Sequence, residues 1–252
     1  MKKLVLFTLS IVFSLSLFAQ DPSVDFEQAN DLYKKGEYTK ALQTYQKINE
    51  QGYEEAELYF NIGNSYYKES NFTYAILYYE KALRLDPRNK NIQYNLKLAN
   101  QYIVDKVEPL PTVLVVRVKN AIITFFNSSQ WSMISIMLFF FGMVGLALFV
   151  IFGNSSGSKK AGFATAFFGI LFAILSYFFA EDQYKAETQH LDAIIIQPSV
   201  TVKGAPSDTG TELFILHEGI KVHITDSIQG WKEVRIPDGN TGWVENKTME
   251  RI

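Results

Sequence analysis

The chain has 252 residues and a formal charge of −2, from 24 basic and 26 acidic side chains. That balance builds no field for a polyanion and excludes nucleic acid as an expected partner. The absence of cysteine excludes disulfide staples, thiolate metal sites and a cysteine nucleophile. The 48% hydrophobic fraction averages unlike segments. Residues 21–107 are polar and tyrosine-rich, residues 131–180 are almost free of charge, and residues 190–252 alternate. A multidomain chain is expected.

Lys2 and Lys3 precede an apolar run from Leu4 to Phe18, and Ala19 stands at its polar exit. A basic start, a short apolar stretch and a small exit residue describe a secretory signal peptide over 1–19. The alternative is an uncleaved anchor, but the run is short for a membrane span and Ser10, Ser14 and Ser16 dilute it.

Residues 22–55 and 56–89 align at a shift of 34. Ala29 falls on Gly63, Asn30 on Asn64, Leu32 on Tyr66, Tyr38 on Phe72, Ala41 on Ala75 and Tyr45 on Tyr79. This is the period of the tetratricopeptide repeat (TPR), a helix pair whose small residues let the two helices close on each other. Lys35-Gly36-Glu37 and Ser70-Asn71 punctuate the pairs, and Asp86-Pro87 ends the second. Ile92, Leu96, Ala99 and Ile103 keep helical spacing, so residues 90–107 are expected to form a capping helix.

Pro109 and Pro111 break that helix. Over 112–127, Arg117, Asn120 and Thr124 share one face and Val115, Val118, Ile122 and Phe125 another, the pattern of a helix lying in a membrane interface; a buried strand is the alternative. Residues 131–152 and 161–180 hold no charge, and each can cross a hydrocarbon core as a helix. Lys159 and Lys160 lie in the short polar loop Gly153–Lys160, which places that loop in the cytoplasm and both flanks outside. Gly142, Gly145, Gly162 and Gly169 suit close packing of the two spans.

Residues 190–252 read as a small all-β module. Strands are expected at Ala193–Ile196, Ser199–Lys203, Lys221–Asp226, Trp231–Arg235 and Thr241–Glu245, with a hairpin turn at Asp238-Gly239-Asn240. Leu213–Leu216 is a further apolar stretch. Five short strands suit a partly open barrel. With Val234-Arg235 and Gly242-Trp243-Val244, the segment resembles the bacterial SH3-like (SH3b) module.

Catalytic signatures do not emerge: there is no nucleophile elbow, HExxH, P-loop or dinucleotide fingerprint. His190, His217 and His223 suggest no convergent ligand set, so no metal and no cofactor are expected. On TPR geometry the first helix of each repeat lines a groove. Phe26, Asn30, Tyr33 and Lys34 would do so in the first copy, and Phe60, Asn61, Asn64, Tyr67 and Lys68 in the second. The alternative is that the phenylalanines pack between helices and the asparagines brace them. Some TPRs hold a peptide carboxylate in a clamp of asparagine and basic residues. Asn30 and Asn61 match its asparagines, but Phe26, Asn91 and Asn95 stand where basic groups are needed. Trp231 and Trp243 are candidates for an aromatic contact on the β module, with a core role as the alternative.

The order of parts resembles the BatE-type TPR proteins of bacterial aerotolerance operons. The stretches carrying the likeness are Tyr59–Asn64, Ala75–Glu80, Val104–Pro109, Pro198–Lys203, Leu213–Gly219 and Asp238–Trp243. The resemblance implies a non-catalytic inner-membrane scaffold facing the periplasm, with von Willebrand A-domain membrane proteins and a MoxR-type ATPase as associates, and a link to oxidative-stress tolerance. A peptidoglycan-peptide binder acting through the SH3-like module is the alternative.

Overall fold

The computed structural model describes residues 22–107, 114–151, 156–189 and 191–252. The expected signal peptide, Pro109 and Pro111, residues 112–113, residues 152–155 and His190 lie outside them. The chain divides into two compact units. The first gathers the described residues up to Asp105 with Ile194–Ser199 and Leu216–Ile220; the second holds Lys106–Ala193, Val200–Ile215 and Lys221–Ile252.

In the first unit, α1 (Pro22–Lys34), α2 (Tyr38–Glu50), α3 (Ala56–Lys68), α4 (Phe72–Leu85) and α5 (Lys90–Ala99) pack each on the next. The 34-residue shift survives in backbone detail. Glu37 N–H reaches Leu32 O at 3.0 Å, and Asn71 N–H reaches Tyr66 O at 2.9 Å. Both are the long-range bond of a helix-ending Schellman turn. Gly36 (φ +81°) and Ser70 (φ +62°) hold the same left-handed position. Asn71 then caps α4 through Tyr74 N–H, and Asn89 caps α5 through the N–H groups of Asn91 and Ile92. Ala29, Ala41, Ile62, Ala75 and Ala82 are fully buried.

The capping helix is shorter than the spacing suggested and stops at Ala99. Asn100 closes it, donating from its side chain to Leu96 O at 3.0 Å. Tyr102 then stacks on Phe72 at 3.9 Å between ring centroids, which draws the chain off the helix axis.

The second unit opens with α6 (Leu114–Ile123), α7 (Ser128–Ile151) and α8 (Ser156–Thr188). The described part of the expected 112–127 helix thus ends at Ile123, because Asn127 starts a new helix. Its Oδ1 accepts from Gln130 N–H at 2.8 Å while Gln130 Oε1 accepts from Asn127 N–H at 3.1 Å, a reciprocal capping box. The first long helix therefore begins three residues ahead of the expected span. The second runs past Ala180, since Glu181 and Lys185 pair at 2.6 Å along a continuing helix and no breaker intervenes. It also starts early, so Lys159 and Lys160 sit in its first turns rather than in a loop. Both helices are long and apolar enough to cross a membrane. They pack through glycines: a Cβ at Gly145 would stand 2.6 Å from Ala166 N, and one at Gly162 2.6 Å from Phe149 N. Ser135 Oγ donates to Ala173 O at 2.8 Å.

At the hairpin's polar end Trp131 Nε1 donates to Ile123 O at 2.9 Å, Lys119 pairs with Asp182 at 2.7 Å, and Glu187 accepts from Ser128 N–H at the start of α7. The first two tie α6 to the hairpin, and the third joins α7 to α8.

The remaining residues form seven strands, not five: β1 (Asp192–Ile195), β2 (Ser199–Lys203), β3 (Glu212–His217), β4 (Lys221–Ile228), β5 (Trp231–Arg235), β6 (Thr241–Glu245) and β7 (Met249–Arg251). The apolar stretch at 213–216 is a strand, and a three-residue strand closes the C-terminus. The order is β3-β2-β6-β5-β4-β1-β7, an open sheet with β3 and β7 at its edges rather than a closed barrel. Val202, Val222, Val234 and Val244 fill its core. Gly242 is obligatory there, as a Cβ would lie 2.4 Å from Val202 Cγ1.

Candidate functional site

The repeats place one polar and aromatic constellation twice. Asn30 Oδ1 accepts from Tyr45 Oη at 2.6 Å and from Asn61 Nδ2 at 3.2 Å. Thirty-four residues on, Asn64 Oδ1 accepts from Tyr79 Oη and Asn95 Nδ2, both at 2.8 Å. Each carbonyl oxygen thereby uses both lone pairs. The arrangement leaves the Asn30 and Asn64 amide N–H groups, and the Asn61 and Asn95 carbonyls, as the polar atoms a ligand could meet. These bonds brace neighbouring helices through the asparagines.

The ring contacts repeat as well. Phe26 leans on Tyr45 at 5.7 Å and Phe60 on Tyr79 at 5.9 Å. Tyr33 meets Tyr38 edge-on at 5.1 Å, and Tyr67 meets Phe72 at 5.5 Å. The six aromatic and asparagine positions Phe26, Asn30, Tyr33, Phe60, Asn64 and Tyr67 are half-buried, as is Asn61; Lys34 and Lys68 are exposed. Lys34 pairs with Asp31 at 3.5 Å, and Lys68 Nζ sits 5.9 Å from the Tyr38 ring. Spacing of four and three along each first helix puts the aromatic, the asparagine and the tyrosine on one stripe.

Burial pushes the Tyr45 and Tyr79 phenols far above their ordinary value, with Tyr33 adding to both. Tyr59 is pushed up to about 12, by burial first and Glu54 second. All three phenols stay neutral, and those of Tyr45 and Tyr79 act as donors into the asparagine ladder. Asn95 extends the ladder into α5, and Tyr94 holds the position of Phe26 and Phe60. The sequence singled out Asn95 only as standing where a carboxylate clamp needs a basic group and did not mark Tyr94, although the 34-residue shift applied once more to Asn61 and Phe60 reaches both.

Trp231 and Trp243 are half-exposed and share one face of the sheet, since Glu233 pairs with Trp243 and Glu245 with Trp231 in adjacent strands. Lys203, in register with Trp243, lies 5.6 Å from the Trp231 ring. Val234 and Val244 occupy the opposite, buried face. His217 and His223 each meet a carboxylate through Nδ1 at 2.8 Å, Asp105 and Asp192 respectively. Among the described residues no group of three or more His, Cys, Asp or Glu is placed to hold a metal ion.

A family profile for the tetratricopeptide repeat matches residues 56–89. No curated protein matches the chain. Of the solved structures that match, one is the TPR2AB-domain:pHSP90-complex of yeast Sti1, at 18% identity and a TM-score of 0.30. The likeness spans 68% of this chain and 65% of that one, just under two thirds of its length.

Proposed function

We propose that this chain is a membrane-anchored scaffold that binds protein partners through its repeat groove and performs no chemistry itself. The observation carrying the reading is the twice-built asparagine ladder. Its amide donors and carbonyl acceptors are held by buried tyrosines and flanked by the half-buried Phe26 and Phe60, which suits an extended peptide backbone. The carboxylate-clamp variant lacks support, because Asn91 and Asn95 stand where basic groups would be needed and Asn95 is spent on Asn64.

The α7–α8 hairpin is read as the anchor. Lys159 and Lys160 in the first turns of α8 favour a cytoplasmic tip and a periplasmic location for both soluble modules. A same-side arrangement has independent support within the first unit, where Thr73 donates to Glu218 and Asp105 accepts from His217. Those partners lie before and after the hairpin in sequence. The chain has no cysteine of its own, so single cysteines at Gln43, Gly157 and Thr209 can be labelled without background. Labelling from outside at 43 and 209 but not at 157 is expected; any other pattern overturns the topology.

The resemblance to BatE-type proteins points to von Willebrand A-domain membrane proteins as partners and to oxidative-stress tolerance as the setting. Co-purification from detergent tests it. Retention of an A-domain protein that Lys34→Glu with Lys68→Glu weakens is expected, and a chain that retains no envelope protein removes the reading. A second reading, cell-wall binding, is favoured by the half-exposed Trp231–Trp243 face. Sedimentation of the whole chain with murein, lost in Trp243→Ala, would support it; equal sedimentation of both would dismiss it.

A further inference from the structure

Two repeats and one short helix leave the last repeat with a face that the next repeat covers in a longer array, and about three repeats are usual for stability. The first repeat shows what such cover looks like. Thr39 Oγ1, at the start of α2, donates to the Glu69 carboxylate of the second repeat, and Leu42, one turn on, is buried. The corresponding residues of the second repeat are Thr73 and Ile76. Continuing the shift, the partner of Thr73 would be residue 103, which is an isoleucine and offers no acceptor.

Thr73 nevertheless has its carboxylate. Its Oγ1 donates to Glu218 Oε2 at 2.9 Å, across 145 residues of sequence. The β3–β4 turn that carries Glu218 is fastened beside it by Asp105, whose Oδ2 accepts from His217 N–H at 2.6 Å and whose Oδ1 meets His217 Nδ1 at 2.8 Å. The apolar part of the contact is equally close. Gly219 (φ +89°) presents bare backbone to Ile103 and Ile76: a Cβ there would stand 2.4 Å from Ile103 Cγ2 and 3.6 Å from Ile76 Cδ1. Ile76 is 1% exposed, Leu216 2% and Ile220 3%. The turn is held from behind by β1, through Gly219 N–H to Ile195 O and Ile195 N–H to Ile220 O.

We propose that the β3–β4 turn, residues 216–220, is a surrogate third repeat that completes the TPR array. Glu218 takes the role that Glu69 plays between the first two repeats, and Gly219 with Ile103 supplies the apolar seat. The array is therefore closed at its C-terminal end by its own chain. A further repeat or a second copy cannot stack there, and recognition is confined to the groove. Asp105 is a positioning residue, because it orients the turn through a backbone N–H that only proline at 217 would remove.

The test uses the full chain in detergent micelles and reads amide hydrogen exchange. Asp105→Ala should speed exchange across α4 and α5 by at least about tenfold, which corresponds to about 1.4 kcal/mol of lost protection, while α1 changes less than twofold. Unchanged exchange in α4 and α5 would overturn the proposal. An independent variant pairs Ile103→Cys with Gly219→Cys, where the Cβ built at 219 lies 3.4 Å from Ile103 Cβ, near disulfide range. An intramolecular disulfide on oxidation is expected. A disulfide joining two chains, or none in a chain whose repeats remain folded by circular dichroism, would equally overturn it.

Discussion

α3 and α4 meet at Gly63, where a Cβ would stand 2.7 Å from the Tyr79 ring; α7 and α8 meet at four glycines, where the obstructing atoms are largely backbone. Both pairs close by leaving side chains out, yet their exteriors are opposite. α3 turns Glu57 and Lys68 to solvent and half-buries Asn61, Asn64 and Tyr67. The hairpin exposes Phe140, Phe141, Val144, Phe163 and Phe168. Glycine at a helix contact therefore reports how near two backbones come, and only the outer residues report what surrounds them. In the repeat, closeness is specific because the obstructing ring is itself pinned through its hydroxyl to Asn64. In the hairpin it is generic, a groove of backbone into which no side chain fits.

The largest effect should follow from filling that groove. Gly145→Leu with Gly162→Leu puts side chains where backbone nitrogens already stand at 2.6 Å, so the helices must separate. Overpacking costs about 1–3 kcal/mol at each site. The expected result is a hairpin that keeps its helical circular dichroism but migrates as an expanded species on a denaturing gel; unchanged migration would mean that the glycines do not set the spacing.

The equivalent break in the repeat is polar. Asn64→Ala leaves the Tyr79 hydroxyl, on a side chain 1% exposed, and the Asn95 amide without their acceptor, at about 1–3 kcal/mol. Faster hydrogen exchange in α3 and α4, with the hairpin unaffected, is the expected reading. An Asn64→Ala chain with native protection would show the ladder to be ornamental.

Titration separates the repeats from the sheet in the same way. Tyr45, Tyr59 and Tyr79 have raised values when folded. Their contribution is complete below the unfolded value near 10 and falls as pH rises beyond it, at up to about 1.4 kcal/mol per pH unit for each phenol. Asp192 behaves oppositely. Burial alone would raise it, but Lys221 at 3.0 Å and the hydrogen bond from His223 outweigh burial and hold it below its ordinary value. Its contribution is present above about pH 4 and is lost as pH falls through the lowered folded value. Melts followed between pH 9 and pH 11 should show the helical transition weakening by more than that of the sheet. A helical transition unchanged across that range would refute the assignment.

What the sequence made legible follows the same division between local pattern and distant partner. The repeats were readable because the shift of 34 holds from Ala29 to Tyr79, and the long helices because charge is absent over 131–152 and 161–180. Hydropathy reads solvent rather than helix, so it missed the continuation of α8 through Glu181 and Lys185. The end of α5 was hidden because Ile103 keeps helical spacing, while the Asn100 cap, the Tyr102–Phe72 stack and the seat of Ile103 against Gly219 draw the chain off the helix. Asparagine at positions 30 and 64 suggested a groove without revealing that tyrosines 15 residues later occupy its carbonyls. The contacts of Thr73 and Asp105 span 145 and 112 residues, and no local pattern encodes them.

The smallest effect tests how far the two repeats are the same object. Gly36 and Ser70 occupy one left-handed position, and Gly36 has open space around it. A residue with a Cβ is strained there by about 1–2 kcal/mol, while glycine loses more backbone freedom on folding, by roughly 0.5–1 kcal/mol. Ser70→Gly should therefore stabilise the second repeat by about 0.5–1 kcal/mol, and Gly36→Ala should destabilise the first by a similar amount. Denaturant midpoints with unchanged slopes measure both. Opposite signs from one position in two repeats would mean that the left-handed turn, and not the residue found there, is what the 34-residue period conserves between them. A loss from Ser70→Gly would instead show that serine at this position is held by something the first repeat lacks.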